Sequence, residues 1–303
     1  MSIDLQQVIN SHLGVRLVSV IGRLMPPVLG YLVCDLIADW LATQRDSKVI
    51  QAIRANQWVV RGANLDKDAL DTVVRETLRN NARSLYDLYH YIQNLEAMRR
   101  MITLNPTARR LLQRPEFGER GLVILGLHLS SFDLVLQSLY RQGGKAMILT
   151  IADPRGGRRV EYEVRKKIGM NLIPVSVSAL RQAIRYLEKG GIVLTGADRP
   201  VPDAKDCPRF FGYPAPLPTH YIYLASKARV PVVIMASLQQ AEGKYHVMNS
   251  EPIEMEDYPD NAGGIVRNAE RVLGRAEDFI RLAPQQWNMH LPVWPELLGN
   301  VPA

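Results

Sequence analysis

The residues best suited to chemistry cluster at Gly126-Leu127-His128-Leu129-Ser130-Ser131-Phe132-Asp133. An apolar run ends there and an amphipathic stretch begins, so the segment reads as a strand-to-helix turn. In open α/β folds such turns stand at the carboxyl edge of the sheet, where ligands bind. His128 falls at the strand tip and Asp133 in the first helical turn. A carboxylate within reach of an imidazole fixes its tautomer and stabilises the imidazolium. His128 is therefore the candidate general base, with Asp133 as its orienting partner. Spacing alone carries little weight. Six histidines and 30 acidic residues in 303 give about 0.6 His-x4-acid pairs by chance. A second such pair, His246 and Glu251, falls in an expected edge strand running into Pro252 and lacks the strand-turn-helix setting. Asp133 also has a purely structural reading, because Ser130 and Asp133 stand at capping-box spacing.

The surrounding sequence must hold this turn in place. Leu122 to Leu127 is a nearly continuous apolar run, the pattern of a strand buried on both faces. Lys145 to Ala152, Asn171 to Val175, Ile192 to Ala197 and Val230 to Ser237 read as further strands, and Tyr245 to Asn249 as an added edge strand. Helical stretches alternate with them: Phe132 to Arg141, Arg158 to Ile168, Ser178 to Glu188 and Thr219 to Ala228. Ile265 to Ile280 is a closing amphipathic helix. This alternation predicts an α/β fold, with a mixed, mostly parallel sheet flanked by helices. Before Gly121 the pattern is helical, with Leu70, Val73, Val74, Leu78, Leu85 and Leu88 at helical spacing. No Gly/Ser linker separates the halves. The expectation is a helical N-terminal region, 1–115, packed on an α/β part, 116–303, as one integrated domain.

The formal net charge of +7 and pI near 9.4 call for an acidic partner: nucleic acid, an anionic membrane surface or phosphate-bearing ligands. Aromatic content of 7% and the lack of a recognition motif argue against nucleic acid. Cys34 and Cys207 stand in unrelated contexts, which suggests reduced thiols rather than a disulfide or a metal site. No metal-ligand cluster is seen. The stretch Met1 to Asn10 carries no basic leader pattern. The apolar segment Leu24 to Cys34 is too short to span a bilayer and holds Pro26-Pro27. With Arg16 and Arg23 beside it, it suits a membrane interface or an ordinary core helix pair equally well.

Several blocks spread from Val49 to Trp294 carry a resemblance. They are Arg54-Ala55-Asn56, the His128 turn, Arg165-Lys166-Lys167-Ile168-Gly169 with Leu172-Ile173-Pro174-Val175, and Gly191 to Arg199 ending in Ala197-Asp198-Arg199. Phe210-Phe211-Gly212-Tyr213-Pro214-Ala215 and Pro284-Gln285-Gln286-Trp287 with His290 complete the set. In order and spacing the chain resembles the lysophospholipid acyltransferase superfamily. It is most similar to the bacterial branch of lipid A lauroyl/myristoyl and phosphatidylinositol mannoside acyltransferases. It departs from that pattern at Asn288, where an aromatic is common, and in lacking basic residues from Leu291 to Val293.

The resemblance implies transfer of a fatty acyl group from acyl-CoA or acyl carrier protein to a hydroxyl of a membrane lipid or glycolipid. His128 is then the base, oriented by Asp133, with no covalent intermediate and neither cofactor nor metal. Donors to the oxyanion are expected at the helix start around Ser131 or from an arginine. Arg165 and Arg199 are the candidate contacts to phosphate or oxyanion, and solvent-facing charge is their alternative. Asp198 is expected to hold an arginine or a sugar hydroxyl, or to be a plain loop carboxylate. Phe211 and Gly212 are expected to wall an acyl pocket, or else to belong to the core. The implied location is peripheral, on the cytoplasmic face of the cell membrane. Two other readings stand beside this one. An ester or thioester hydrolase would use the same base, although no Gly-x-Ser-x-Gly elbow is present. A non-catalytic lipid-binding protein would use only the basic surface.

Overall fold

The computed structural model describes residues 22–114, 119–151, 157–201, 204–258 and 261–302. Met1 to Asn10, Arg16, Pro115 and Ala152 lie outside the described residues. The chain opens with helices α1 (Pro27–Ala42), α2 (Lys48–Val60), α3 (Lys67–Tyr91) and α4 (Leu95–Arg100). Strand β1 (Ile102–Leu104) and helix α5 (Pro106–Gln113) follow. Strands and helices then alternate: β2 (Leu122–Gly126), α6 (Phe132–Arg141), β3 (Met147–Thr150), α7 (Gly157–Lys167), β4 (Asn171–Pro174), α8 (Val177–Glu188) and β5 (Ile192–Gly196). A hairpin of β6 (Arg209–Phe210) and β7 (Tyr213–Pro214) leads to α9 (His220–Ala228), β8 (Val232–Gln239), β9 (Tyr245–Asn249) and α10 (Asn261–Leu282).

Local signals set the helix starts. Asp66 caps α3 by accepting from the Ala69 N–H, Asn105 caps α5 through Ala108, and Ser176 caps α8 through Ala179. Pro27 does not interrupt the apolar N-terminal segment. It occupies the first turn of α1, where its missing N–H costs nothing.

Seven strands form one sheet in the order β1-β9-β8-β2-β5-β3-β4. All neighbours are parallel except β8 and β9. The expected edge strand Tyr245–Asn249 is not at the edge. The three-residue β1 covers it in parallel register and takes that place. Strand β2 lies between β8 and β5, and Gly126 is level with Gly196. This pairing brings the turns after β2 and β5 side by side.

Helices cover both faces. On one, Val123, Leu125, Val193 and Ile234 pack against α8, α9 and α10 in the main core. On the other, Ile124, Ile148 and Leu172 face α5, α6 and α7. The N-terminal helices dock through polar contacts as well as apolar ones. The buried Asn56 amide donates to the Met289 and Leu291 carbonyls and accepts from the Val293 N–H. It thereby fixes the C-terminal segment that reaches the site.

Helix α1 carries its polarity the unusual way round. Toward α3 it presents Tyr31, which bonds Asp87, with Asp35 paired to Arg83 and Asp39 to Arg79. Gly30 lies so close to the Tyr86 ring that an added Cβ would come within 2.2 Å of it. Outward it exposes Val28, Leu32, Leu36 and Trp40 at four-residue spacing.

Candidate active site

His128 sits just beyond the end of β2, and Asp198 just beyond the end of the neighbouring β5. The His128 Nδ1 is 2.6 Å from Asp198 Oδ1, and its backbone N–H donates to Asp198 Oδ2 at 2.9 Å. The Trp287 indole N–H donates to the same Oδ2 at 2.8 Å. Asp198 is wholly buried. Burial alone would raise its pKa. The His128 charge, the bonds from His128 and the Trp287 indole outweigh this and hold it below the ordinary carboxylate range. An anionic carboxylate only accepts, so Nδ1 is the donor to it, and in the neutral ring the lone pair falls on Nε2. That is the tautomer a general base needs.

The expected partner, Asp133, does not reach the imidazole. Its carboxylate accepts from Arg165 Nε at 2.8 Å. Asp133 lies on the first turn of α6, where a negative charge also suits the helix dipole, and it points to α7 rather than back to the strand tip. The expected role of Asp198, holding an arginine or a sugar, is likewise corrected. It orients His128. The second His-x4-acid pair is remote: His246 lies on β9 and bonds Thr103 on β1.

The turn after His128 is clamped. Ser130 has φ of 52°, a left-handed conformation that costs a non-glycine residue energy and clusters at functional sites. Its N–H donates to Gln286 O, and its carbonyl accepts from the Asn288 side chain. The Asn288 N–H donates to His128 O at 2.7 Å. Ser131 is buried, its hydroxyl donating to Ser84 O on α3 at 3.0 Å. It is expected among the substrate contacts, but it does not line the cavity beside the imidazole.

A cavity of about 1160 Å³ opens beside the imidazole. Its floor is the sheet face formed by β2, β5 and β3, and its roof is α6 with part of α5. Arg165 and Arg199 stand on its wall. Phe211 and Gly212 do not. With φ of 50° and 82° they form the tight turn between β6 and β7, and Phe211 packs on Phe210 and Trp294. Phe210 in turn contacts Trp287 edge to face, so this cluster supports the indole that holds Asp198. Among the described residues no group of His, Cys, Asp or Glu is arranged to hold a metal. No local sequence signal marks the Asp198–Trp287 pairing, because it joins segments distant in the chain.

A buried carboxylate, a correctly tautomeric imidazole and an apolar cavity at a strand-helix turn suit base-assisted chemistry on a hydrophobic substrate. No curated protein matches the chain. The family model of bacterial lipid A biosynthesis acyltransferases matches residues 3–295, and the chain belongs to that acyltransferase family.

Proposed function

We propose that the protein moves a fatty acyl group from acyl-CoA or acyl carrier protein to a hydroxyl of a lipid A-type or phosphatidylinositol mannoside-type acceptor. The observation that carries this is the position of His128, locked at Nδ1 by Asp198 and lining a large apolar cavity. His128 Nε2 takes the proton of the acceptor hydroxyl as the oxygen attacks the thioester carbonyl. The N–H groups that open α6 have no intrahelical acceptors and face the oxyanion that develops. Collapse of the tetrahedral species breaks the C–S bond, and the imidazolium returns its proton to the leaving thiolate. Arg165, steadied by Asp133, and Arg199 hold phosphate groups of donor or acceptor at the cavity mouth.

The protein works on a membrane surface. Val28 is 81% exposed and Leu36 61%, and they lie on the outward face of α1. Arg23 precedes this helix and Arg45 and Lys48 follow it. An apolar stripe flanked by cations suits the boundary between headgroups and acyl chains. No helix among the described residues is long and apolar enough to cross a membrane.

The reading is tested by incubating the protein with labelled acyl-CoA, or acyl carrier protein, and a total polar lipid extract. A labelled lipid is the expected product, and its mass identifies the acceptor. Free fatty acid at the same rate with and without extract would make the protein a hydrolase and overturn the proposal.

A further inference from the structure

The cavity does not stop at the carboxyl edge of the sheet. Side chains alternate along β5, so Leu194 faces α5 and α6, whereas Val193, Thr195 and Ala197 face the opposite side, where α9 packs. The lining draws on both sides. It includes Gly196 beside the His128 ring, and also Thr195 and His220, the first residue of α9. A second arm therefore runs over the sheet edge, away from the apolar section under α6. Thr195 and Gly196 are consecutive, with Cα atoms about 3.8 Å apart. The Thr195 hydroxyl bonds His220 at 3.0 Å, and a Cβ on Gly196 would stand 3.3 Å from the His128 ring. A group held in the second arm is thus next to the base.

Five prolines, Pro200, Pro216, Pro218, Pro292 and Pro295, line this arm. Proline has a fixed φ and no N–H, so they make a stiff wall without hydrogen-bond donors of its own. The Val201 N–H already donates to the Pro216 carbonyl at 2.8 Å. Side-chain donors here come from Arg199 and His220. His220 is half-buried, and its Nε2 meets the Thr195 hydroxyl. Thr195 is buried, and that nitrogen is its one hydrogen-bond partner among the described residues. Were Nε2 protonated, the Thr195 O–H would have no acceptor. With the hydroxyl donating to Nε2, the ring proton lies on Nδ1, which has no partner among the described residues. Burial pushes the imidazole down to about 4 from 6.5, so the ring is uncharged at neutral pH and is a donor rather than a second base.

We infer that His220 is a specificity-determining residue for the acceptor: its Nδ1–H, fixed by Thr195, donates to an uncharged oxygen of a sugar headgroup in the second arm, beside the hydroxyl held at His128. This rests on the acyltransferase reading above. An uncharged imidazole is a directional donor suited to a hydroxyl or ether oxygen, whereas the neighbouring Arg199 is the group suited to a phosphate. A plain alkyl alcohol would fill the arm and leave Nδ1–H unbonded. A site built to bond a polar group rejects a ligand that lacks it for that reason.

The test pairs a spectrum with a rate. Ring nitrogen-15 spectra of the full chain, with the His220 signals assigned by their loss in His220→Asn, are recorded while octyl mannoside, octyl glucoside or 1-octanol is added below micelle-forming concentrations. In parallel, kcat/KM for acyl transfer to each of the three is measured with acyl-CoA or acyl carrier protein as donor. His220 of wild type is expected to be protonated at Nδ1 and bare at Nε2, and its Nδ1 signal to move with a glycoside and not with octanol. His220→Leu should lower the glycoside-to-octanol ratio of kcat/KM by about 2–10-fold, the loss of one uncharged hydrogen bond. His220→Asn, whose amide N–H stands near the place of Nδ1–H, should keep most of that ratio. A proton on Nε2, an Nδ1 signal that no glycoside moves, or a ratio unchanged in His220→Leu would overturn the inference, and the spectrum of wild type decides it even if the leucine variant does not fold. The expected tautomer and shift without transfer from any donor would leave the contact standing and reject the proposed reaction. Neither shift nor transfer would reject both.

Discussion

Replacing Asp198 by Asn tests the orienting carboxylate with almost no change of shape. Donors from His128 N, His128 Nδ1 and Trp287 Nε1 converge on the two oxygens of Asp198. Asn offers one oxygen. If that oxygen serves His128 N and Trp287, the Asn NH₂ faces Nδ1 and forces the proton onto Nε2, removing the basic lone pair. If it serves Nδ1, the NH₂ opposes two N–H donors. The first arrangement leaves a single steric match and the wrong tautomer, for which the rate loss is about 10⁴-fold, or about 5.5 kcal/mol. The second costs about 1–3 kcal/mol of stability for each of the two buried donors left unpaired. The assay is the initial rate of labelled acyl transfer at saturating donor, with urea unfolding as the check on the fold. Asp133→Asn is the matched control. It loosens Arg165 but leaves the tautomer of His128 intact, so its rate should fall by only about 10–100-fold, the loss of one charge-assisted bond. A D198N enzyme within tenfold of wild type, or a D133N enzyme more impaired than D198N, would refute this account of how the imidazole is held.

Four further outcomes follow from the same contacts. Trp287→Phe removes one donor to Asp198 and should cost about 1–3 kcal/mol in urea unfolding, with a smaller rate loss than D198N. Asn56→Ala leaves two carbonyls and an N–H unpaired at the segment that bears Trp287 and Asn288, and should lower both stability and transfer rate. Leu32→Asp with Leu36→Asp on the outward face of α1 should weaken co-sedimentation with anionic phosphatidylglycerol vesicles by at least about tenfold, since each leucine is about half exposed and contributes about 1 kcal/mol or more when buried in lipid. Stability should also respond to pH through two buried groups of opposite sign. Burial pushes the Asp87 carboxyl up to about 6 from 3.8, against the bonds from Tyr245 and Tyr31 that lower it. Its contribution is therefore complete below pH 3.8 and falls by about 3 kcal/mol as pH rises through 6. Burial lowers His220 to about 4 from 6.5, so its contribution is complete above pH 6.5 and falls by about 3 kcal/mol as pH drops toward 4. Unfolding free energies of Asp87→Asn and His220→Gln across pH 3.5–8, each compared with wild type, should show these two opposite slopes removed.

The sequence made some of this legible for physical reasons. The buried strands β2, β5 and β8 are parallel and covered on both faces, so their apolar runs are nearly continuous and stand out. The strand-to-helix setting singled out His128 over His246, and of these two the structure puts His128 in the cavity wall. Strand β1 escaped notice because three residues cannot show a period, and its pairing with β9 is a long-range event. The partner of His128 escaped for a similar reason. Asp133 is near in sequence, whereas Asp198 becomes a neighbour only because Gly126 and Gly196 are level on adjacent strands. The aromatic turn at Phe211-Gly212 signalled a wall of some kind. Its side chains fall on the face opposite the cavity, which alternation along so short a strand does not reveal. The apolar face of α1 was visible as composition. Only the ion pairs to α3 show that the helix turns that face outward.

Comparing wild type with His128→Ala decides whether His128 is the base for acyl transfer at this cavity. The measurement is mass-detected transfer of a 14-carbon acyl group from acyl-CoA, or acyl carrier protein, to polar lipid. Circular dichroism confirms that the variant keeps its fold. Wild type should yield an acylated lipid, and the folded variant should make it at a rate at least about 10³-fold lower, the scale of losing a general base. A folded His128→Ala protein that transfers at a rate near that of wild type would contradict it.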